Sequence, residues 1–227
     1  MHKGFFITGT DTGIGKTRVT LALMHYFQQQ DKTVLGMKPI ASGCQTLEGR
    51  LKNEDALLLQ QYGSFPVAYG LINPYAFALP AAPHIAAGFT GQSIDLTTIY
   101  SAFRKLQDLA QWVMVEGVGG WQVPLNSTQS VKDLAAGLAL PVIIVVGIRL
   151  GCINHALLTF RAVLDAKVPC AGWIASCIEE NMLFTEENIA TIQQLAKLPL
   201  LGVLPFKQQM GVANFTEQLE LTNLKIV

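Results

Sequence analysis

Hydrophobic positions fall into two kinds of run along this chain, and the two kinds alternate. Residues 3–8 (KGFFIT) form a short apolar block closed by Gly9, the pattern of a buried strand. Over residues 17–29 the period changes: Val19, Leu23 and Phe27 recur at helix spacing and share one face. Residues 33–37 predict the next strand, reached after a crossover long enough for a βαβ unit. A helical pattern covers 51–60, whereas 63–94 is irregular and rich in Pro, Gly and Ala, with a short helix predicted near 82–87. Asp95 stands where it can cap a helix running to about residue 110. Further strands are predicted at 112–115, ending on Glu116, and at 142–146, 170–175 and 200–204. Helices at 153–164 and 186–196 separate the last three. Several strands are apolar at every position, which requires cover on both faces. The pattern predicts an α/β fold, a mostly parallel sheet with helices on both sides. Residues 219–227 read only as a segment that packs an edge. Nothing interrupts the alternation, so 1–227 is expected to be a single domain, long enough to bury a sheet core unaided.

Composition narrows the partners. Hydrophobic residues make up 50% of the 227 and charged residues only 14%. Either neutral polar side chains cover much of the surface or a partner subunit buries part of it. Sixteen basic and sixteen acidic residues cancel, and no basic stripe is present, which argues against nucleic acid as a partner. The apolar run 138–148 is too short to span a bilayer, so no membrane association is expected. Cys44, Cys152, Cys170 and Cys177 lack zinc-site spacing, and the chain opens on a strand without a signal-like segment. Reduced thiols in a cytoplasm are the simplest account.

The chemistry gathers at predicted strand ends. Gly9-Thr10-Asp11-Thr12-Gly13-Ile14-Gly15-Lys16-Thr17 lies between a strand and a helix, the context a phosphate cradle needs. Backbone N–H groups there converge on phosphate oxygens, Lys16 reaches the outer phosphates and the Thr17 hydroxyl suits magnesium. The loop is a variant, with five residues between Gly9 and Gly15 where the usual form has four. Lys38 follows the second strand, where it either neutralises a phosphate or substrate anion or is an ordinary surface lysine. Glu116 enters Gly117-Val118-Gly119-Gly120-Trp121, either as a magnesium-side carboxylate or as a cap for nearby N–H groups. Asp55 reads as a helix cap. The segment from Val146 through Arg149 to His155 opens a helix whose free N–H groups suit a carboxylate; Arg149 either assists or is a solvated loop residue. His155 has no metal-ligand companion and reads as structural.

These motifs, with Lys38-Pro39-Ile40-Ala41-Ser42-Gly43, Asn53-Glu54-Asp55-Ala56-Leu57, Asn73-Pro74-Tyr75 and Gly151-Cys152-Ile153-Asn154-His155-Ala156, occur in an order that resembles the dethiobiotin synthetase family over nearly the whole length. The resemblance implies a P-loop NTPase-like fold and an ATP-dependent ring closure: 7,8-diaminononanoate and carbon dioxide give dethiobiotin, ADP and phosphate. It implies ATP as co-substrate and Mg2+ as cofactor. By the same resemblance Lys16, Lys38, Thr12 and Ser42 are catalytic, and Gly13, Ile14, Gly15, Lys16, Thr17, Glu116, Gly119 and Ser176 hold the nucleotide. Thr17, Asp55 and Glu116 are implied to hold the metal. Ser42 with Gly151, Cys152, Ile153 and Asn154 would bind the substrate, the last four at the interface of a homodimer. Two positions depart from the family: Gly13 stands where glutamate is known, and Ser176 where asparagine often reads adenine. A single hydroxyl cannot make the paired contact of an amide. The competing readings are a kinase or amidotransferase-like ligase, disfavoured by the 117–121 and 151–154 motifs, and a partitioning-type ATPase switch. The latter calls for a lysine early in the phosphate loop, where this chain has Thr10.

Overall fold

The computed structural model describes residues 3–206 and 211–221. In chain order the elements are β1 (Lys3–Gly9), α1 (Lys16–Gln28), β2 (Val34–Met37), β3 (Ile40–Ala41), β4 (Gln45–Leu47), β5 (Arg50–Lys52), α2 (Glu54–Gln61), α3 (Tyr69–Ile72), β6 (Tyr75–Ala76) and α4 (Pro83–Phe89). They continue with α5 (Leu96–Leu109), β7 (Trp112–Glu116), α6 (Val131–Leu138), β8 (Val142–Ile148), α7 (Cys152–Asp165), β9 (Cys170–Cys177), α8 (Thr185–Ala196), β10 (Leu200–Leu204) and α9 (Val212–Thr216).

Side chains in a strand point alternately to opposite faces, and that rule splits each apolar run between two cores. Phe6, Val113, Val115, Ile144 and Val146 face one side, with Ile99 of α5, Leu134 of α6, Phe160 of α7 and Ile192 of α8. Phe5, Ile7, Trp112, Met114, Ile143 and Val145 face the other, with Val19 and Leu23 of α1 and Leu59 of α2. Trp112 stacks on Phe27 with ring centroids 4.0 Å apart, and Phe5 packs against both rings. β8 is therefore free of polar side chains along its whole length, because neither of its faces meets water.

The main sheet has six strands in the order β10-β9-β8-β1-β7-β2, and every pairing is parallel. β1 is central, between β7 and β8. From β1 the chain first builds one half of the sheet (β2, then β7 inserted between) and then the other. The crevice at such a reversal, outside the carboxyl ends of the strands, is where open α/β sheets take their ligands.

Three departures from the sequence reading have local causes. The helix expected over 51–60 begins only at Glu54, because Arg50–Lys52 pairs antiparallel with Gln45–Leu47 as a hairpin. Asn53 then starts α2, its side chain accepting from the Ala56 N–H at 3.2 Å. α6, unmarked in the hydrophobic pattern, starts where Ser130 donates its N–H and hydroxyl to Asp133 Oδ2, both at 2.8 Å. Within the irregular 63–94 stretch, β6 pairs in parallel with β3 through Ile40↔Tyr75 and Ala41↔Ala76. Of the edge segment expected at 219–227, Leu219 bridges Gly202 in antiparallel fashion, and residues 222–227 lie outside the described residues.

Candidate active site

A cleft of about 900 Å³ opens at the carboxyl ends of β1, β2 and β7. The phosphate loop, residues 10–15, forms its floor. Gly13 and Gly15 adopt φ of 72° and 90°, left-handed values that suit glycine. Ile14 turns its side chain into the core, 1% exposed, so only its backbone is left to face a ligand. That side chain seats in notches left by two glycines: a Cβ on Gly9 would lie 2.6 Å from Ile14 Cδ1, and one on Gly147 2.6 Å from Cγ2. Among the described residues nothing accepts from the N–H groups of residues 13–18, whereas Thr12 N donates to Asp11 Oδ1 at 2.7 Å. An outward-facing row of N–H donors before a helix start is an anion site.

Lys16 is nearly buried and bends back to donate to the Asp11 carbonyl at 2.7 Å. Burial, aided by the charge on Lys38, pushes its ammonium down to about 8, against Glu116, Asp55 and Asp11. Lys38 lies between two carboxylates, 2.5 Å from Glu116 Oε1 and 2.9 Å from Asp55 Oδ2. Burial opposes its charge, but the two acids outweigh burial and raise its pKa. Asp55 is likewise subject to burial, which Lys38 outweighs, so its carboxyl sits below the ordinary range. Glu116, 1% exposed, is pushed up by burial while Lys38 pulls the other way. The Thr17 hydroxyl donates to Glu116 Oε1 at 3.0 Å. Glu116 Oε2 and Ser42 Oγ are buried with no partner among the described residues.

The cleft thus brings together Thr12, Gly13, Gly15, Lys16, Thr17, Lys38, Ser42, Asp55, Glu116 and Gly119. Other expected site residues lie elsewhere. Ser176, 1% exposed, sits beneath the loop, where a Cβ on Gly15 would fall 2.8 Å from its hydroxyl. Ile178 and Phe206, which the sequence reading did not single out, line the cleft instead. Gly151, Cys152, Ile153 and Asn154 start α7 outside the cleft lining. Gly151 caps that helix at φ 89°, Cys152 is buried, and Leu150 beside them is 94% exposed. Arg149 points back and pairs with Asp11. Tyr69 and Asn73, whose roles no local pattern announces, bond to the backbone around Lys38 and Asn53. Among the described residues no group of three or more His, Cys, Asp or Glu could hold a metal, and no helix is long and apolar enough to cross a membrane.

A donor-lined loop running from a central parallel strand into a helix that opens on Lys16 and Thr17, faced by a strand-end acid, is the architecture of the P-loop nucleoside triphosphatases. Solved structures share the fold: a ParA family ATPase from Chlorobium tepidum (TM-score 0.55, 11% identity, covering 97% of this chain and 92% of that one) and the MinD cell division protein of Aquifex aeolicus (TM-score 0.54, 16% identity, 95% and 86%). The AAA domain family matches residues 3–213. The ATP-dependent dethiobiotin synthetase BioD of Nitrosospira multiformis is 46% identical over 224 residues, covering 99% of this chain and 97% of that protein. That of Xanthomonas oryzae pv. oryzae is 44% identical over 217 residues, covering 96% and 97%. The chain belongs to the ATP-dependent dethiobiotin synthetase family.

Proposed function

We propose that this chain closes the ureido ring of dethiobiotin from 7,8-diaminononanoate, carbon dioxide and ATP, and that Mg2+ accompanies the nucleotide. The observation that carries the reading is Lys38, held between Asp55 and Glu116 in the same cleft as Lys16 and the donor-lined phosphate loop. One amine of the substrate adds to carbon dioxide and loses a proton, giving a carbamate. A carbamate oxygen attacks the γ-phosphorus, ADP leaves, and a carbamic–phosphoric anhydride remains. The second amine attacks the carbamoyl carbon, loses its proton and expels phosphate, closing the ring.

The chain's residues meet the demands of each step. Lys16 and the N–H groups of the loop offset charge on the transferring phosphoryl group, which accumulates on its outer oxygens. Lys38 exchanges a carboxylate oxygen for a phosphate or carbamate oxygen. Ser42 and Thr12 supply hydroxyl donors at the cleft wall. Thr17, Asp55 and Glu116 would hold Mg2+, and the fit is supported by the unpartnered Glu116 Oε2 and by an all-oxygen donor set, which a hard cation with its own waters prefers. When bound, the ion polarises phosphate oxygens and neutralises charge.

Residues 1–227 are read as one domain acting in the cytoplasm as a homodimer. The exposed Leu150 and Leu158 (94% and 63%) give that dimer apolar surface to bury, and it would bring residues 151–154 of one copy to the substrate of the other. Purified protein given Mg2+, ATP and labelled bicarbonate tests the whole reading. Label entering an acid-stable ureido product only with the diamine, at one phosphate per ring, is expected. Phosphate release without label capture excludes it.

A further inference from the structure

Lys38 leaves β2 and is followed at once by Pro39, so no strand neighbour fixes its peptide. α3 fixes it instead. The Lys38 N–H donates to the Ile72 carbonyl at 2.8 Å, and the Lys38 carbonyl accepts from Asn73 Nδ2 at 2.7 Å. Consecutive residues thus clamp the peptide on both sides. Asn73 is 3% exposed and both amide protons are used: Nδ2 also reaches the Tyr75 carbonyl at 3.1 Å, while Oδ1 accepts from Tyr69 Oη at 2.9 Å.

The direction of this chain of bonds is determined from its far end. The Asn53 N–H can only donate, and it does so to Tyr69 Oη at 2.8 Å. The phenol proton is therefore free to go to Asn73 Oδ1, which turns Nδ2 toward Lys38. Asn53 is also the residue whose side chain starts α2, and α2 carries Asp55 two positions on. One relay, Asn53–Tyr69–Asn73, therefore locates both the backbone of Lys38 and the helix that bears its partner carboxylate.

We propose that Asn73, oriented by Tyr69, is a positioning residue for the ring-closing reaction: it holds the Lys38 ammonium in register with Asp55 and Glu116, and so with the transferring phosphate. The inference rests on the function proposed above and adds to it residues that touch no reacting atom. Asn73→Asp sets a carboxylate oxygen against the Lys38 carbonyl at almost unchanged volume. Tyr69→Phe removes the bond that orients the amide and leaves the Asn53 N–H unpaired.

The test is steady-state kinetics of the full chain with ATP, Mg2+, bicarbonate and 7,8-diaminononanoate, alongside thermal unfolding. Asn73→Asp is expected to lower kcat about 10- to 100-fold and Tyr69→Phe about 3- to 10-fold, because small displacements of a catalytic group are costly. KM for ATP should stay within about twofold in both, since the phosphate loop is untouched. The double variant should fall by clearly less than the product of the two single losses, because Tyr69 acts in large part through Asn73. Equal rises in KM and falls in kcat, or a Tyr69→Phe kcat within about twofold of the parent, overturn the inference. If Asn73→Asp does not fold, Tyr69→Phe decides alone. A parent protein that makes no ureido product overturns the proposed function instead.

Discussion

The Arg149 guanidinium pairs with the Asp11 carboxylate, tying the end of β8 to the phosphate loop across 138 positions of sequence. Asp11 also holds Lys16 through its carbonyl and Thr12 through its other carboxylate oxygen, so a single residue anchors both ends of the loop's charge. Both members of the ion pair are over a third exposed, and pairs of that kind contribute no more than about 1 kcal/mol to folding. Arg149→Ala should therefore leave the unfolding midpoint almost unchanged while raising KM for ATP about 3- to 10-fold, because the loop must then be ordered by the ligand. An unchanged KM with a lower midpoint would mean that the pair serves only the fold.

Glu116 bonds both Thr17 and Lys38 through the same oxygen. Glu116→Gln keeps the shape and removes the charge. We expect kcat to fall about 10²- to 10³-fold and half-saturating Mg2+ to rise about tenfold. A magnesium titration run beside the kinetics separates these effects. Loss of rate with an unaltered magnesium requirement would assign Glu116 to Lys38 alone.

The sheet was legible in the sequence because a strand covered on both faces is apolar at every position, as in β8, and its short length and β-branched residues set it apart from a buried helix segment. The phosphate loop was legible for a different reason: its chemistry is confined to consecutive residues. Lys38, Asp55 and Glu116 come from separate elements, so their mutual distances were not. Asp55 in particular carries the signature of an N-terminal helix acid, and only folding brings it beside Lys38. α6 escaped notice because eight residues containing Gly137 and a buried face of Val131, Leu134 and Leu138 give too short a period to count. Its best signal was local and polar, Ser130 three positions before Asp133. Tyr69 left no signal, and Asn73 entered only inside the Asn73-Pro74-Tyr75 motif with no role, since the partners that give the pair its work are backbone groups at Asn53 and Lys38.

That same Ser130–Asp133 cap carries a pH dependence. Burial would raise the Asp133 carboxyl, but bonds from the Ser130 N–H and hydroxyl outweigh it and hold the pKa below the ordinary range. A depressed carboxyl stabilises the fold above its unfolded value of about 3.9 and loses that contribution as pH falls through the folded value. Asp133→Ala should cost about 0.5–2 kcal/mol at pH 7. In urea titrations the gap to the parent should close as pH drops below 4 or so. A gap of constant size down to acid pH would assign the loss to packing.

Gly147 in β8 leaves the notch that Ile14 fills, and a Cβ there would approach the Ile14 side chain to 2.6 Å. Gly147→Ala should destabilise by about 1–3 kcal/mol through overpacking. It should also raise KM for ATP, because the strain is delivered to the phosphate loop. Ile14→Ala, which removes the approached Cγ2, should make the double variant less destabilised than the two single losses summed, which a double-mutant cycle reads directly. Strict additivity would sever the connection between the notch and the loop.

Ser176 faces Gly15 rather than the cleft. Ser176→Ala is accordingly expected to alter the ratio of kcat/KM for ATP over GTP by less than about threefold, a difference below 1 kcal/mol. Phe206, which does line the cleft, should shift that ratio more when changed to Ala. A large loss of ATP preference on removing the Ser176 hydroxyl would reverse the assignment.

Lys16 and Lys38 set two positive charges beside the two negative charges of Asp55 and Glu116, so the four sum to zero. Those four side chains by themselves exert little net pull on a lone ion of either sign, and the attraction for an anion is left to the N–H groups of the loop. The four suit a visitor that is itself mixed in sign, a polyphosphate escorted by a divalent ion, whose positive part can take over the carboxylates as its negative part takes over the lysines. The swap is a change of partners rather than a gain of charge. Under the proposed function, admission to the cleft would be biased toward the metal–nucleotide complex over either component alone, before any bond is made or broken.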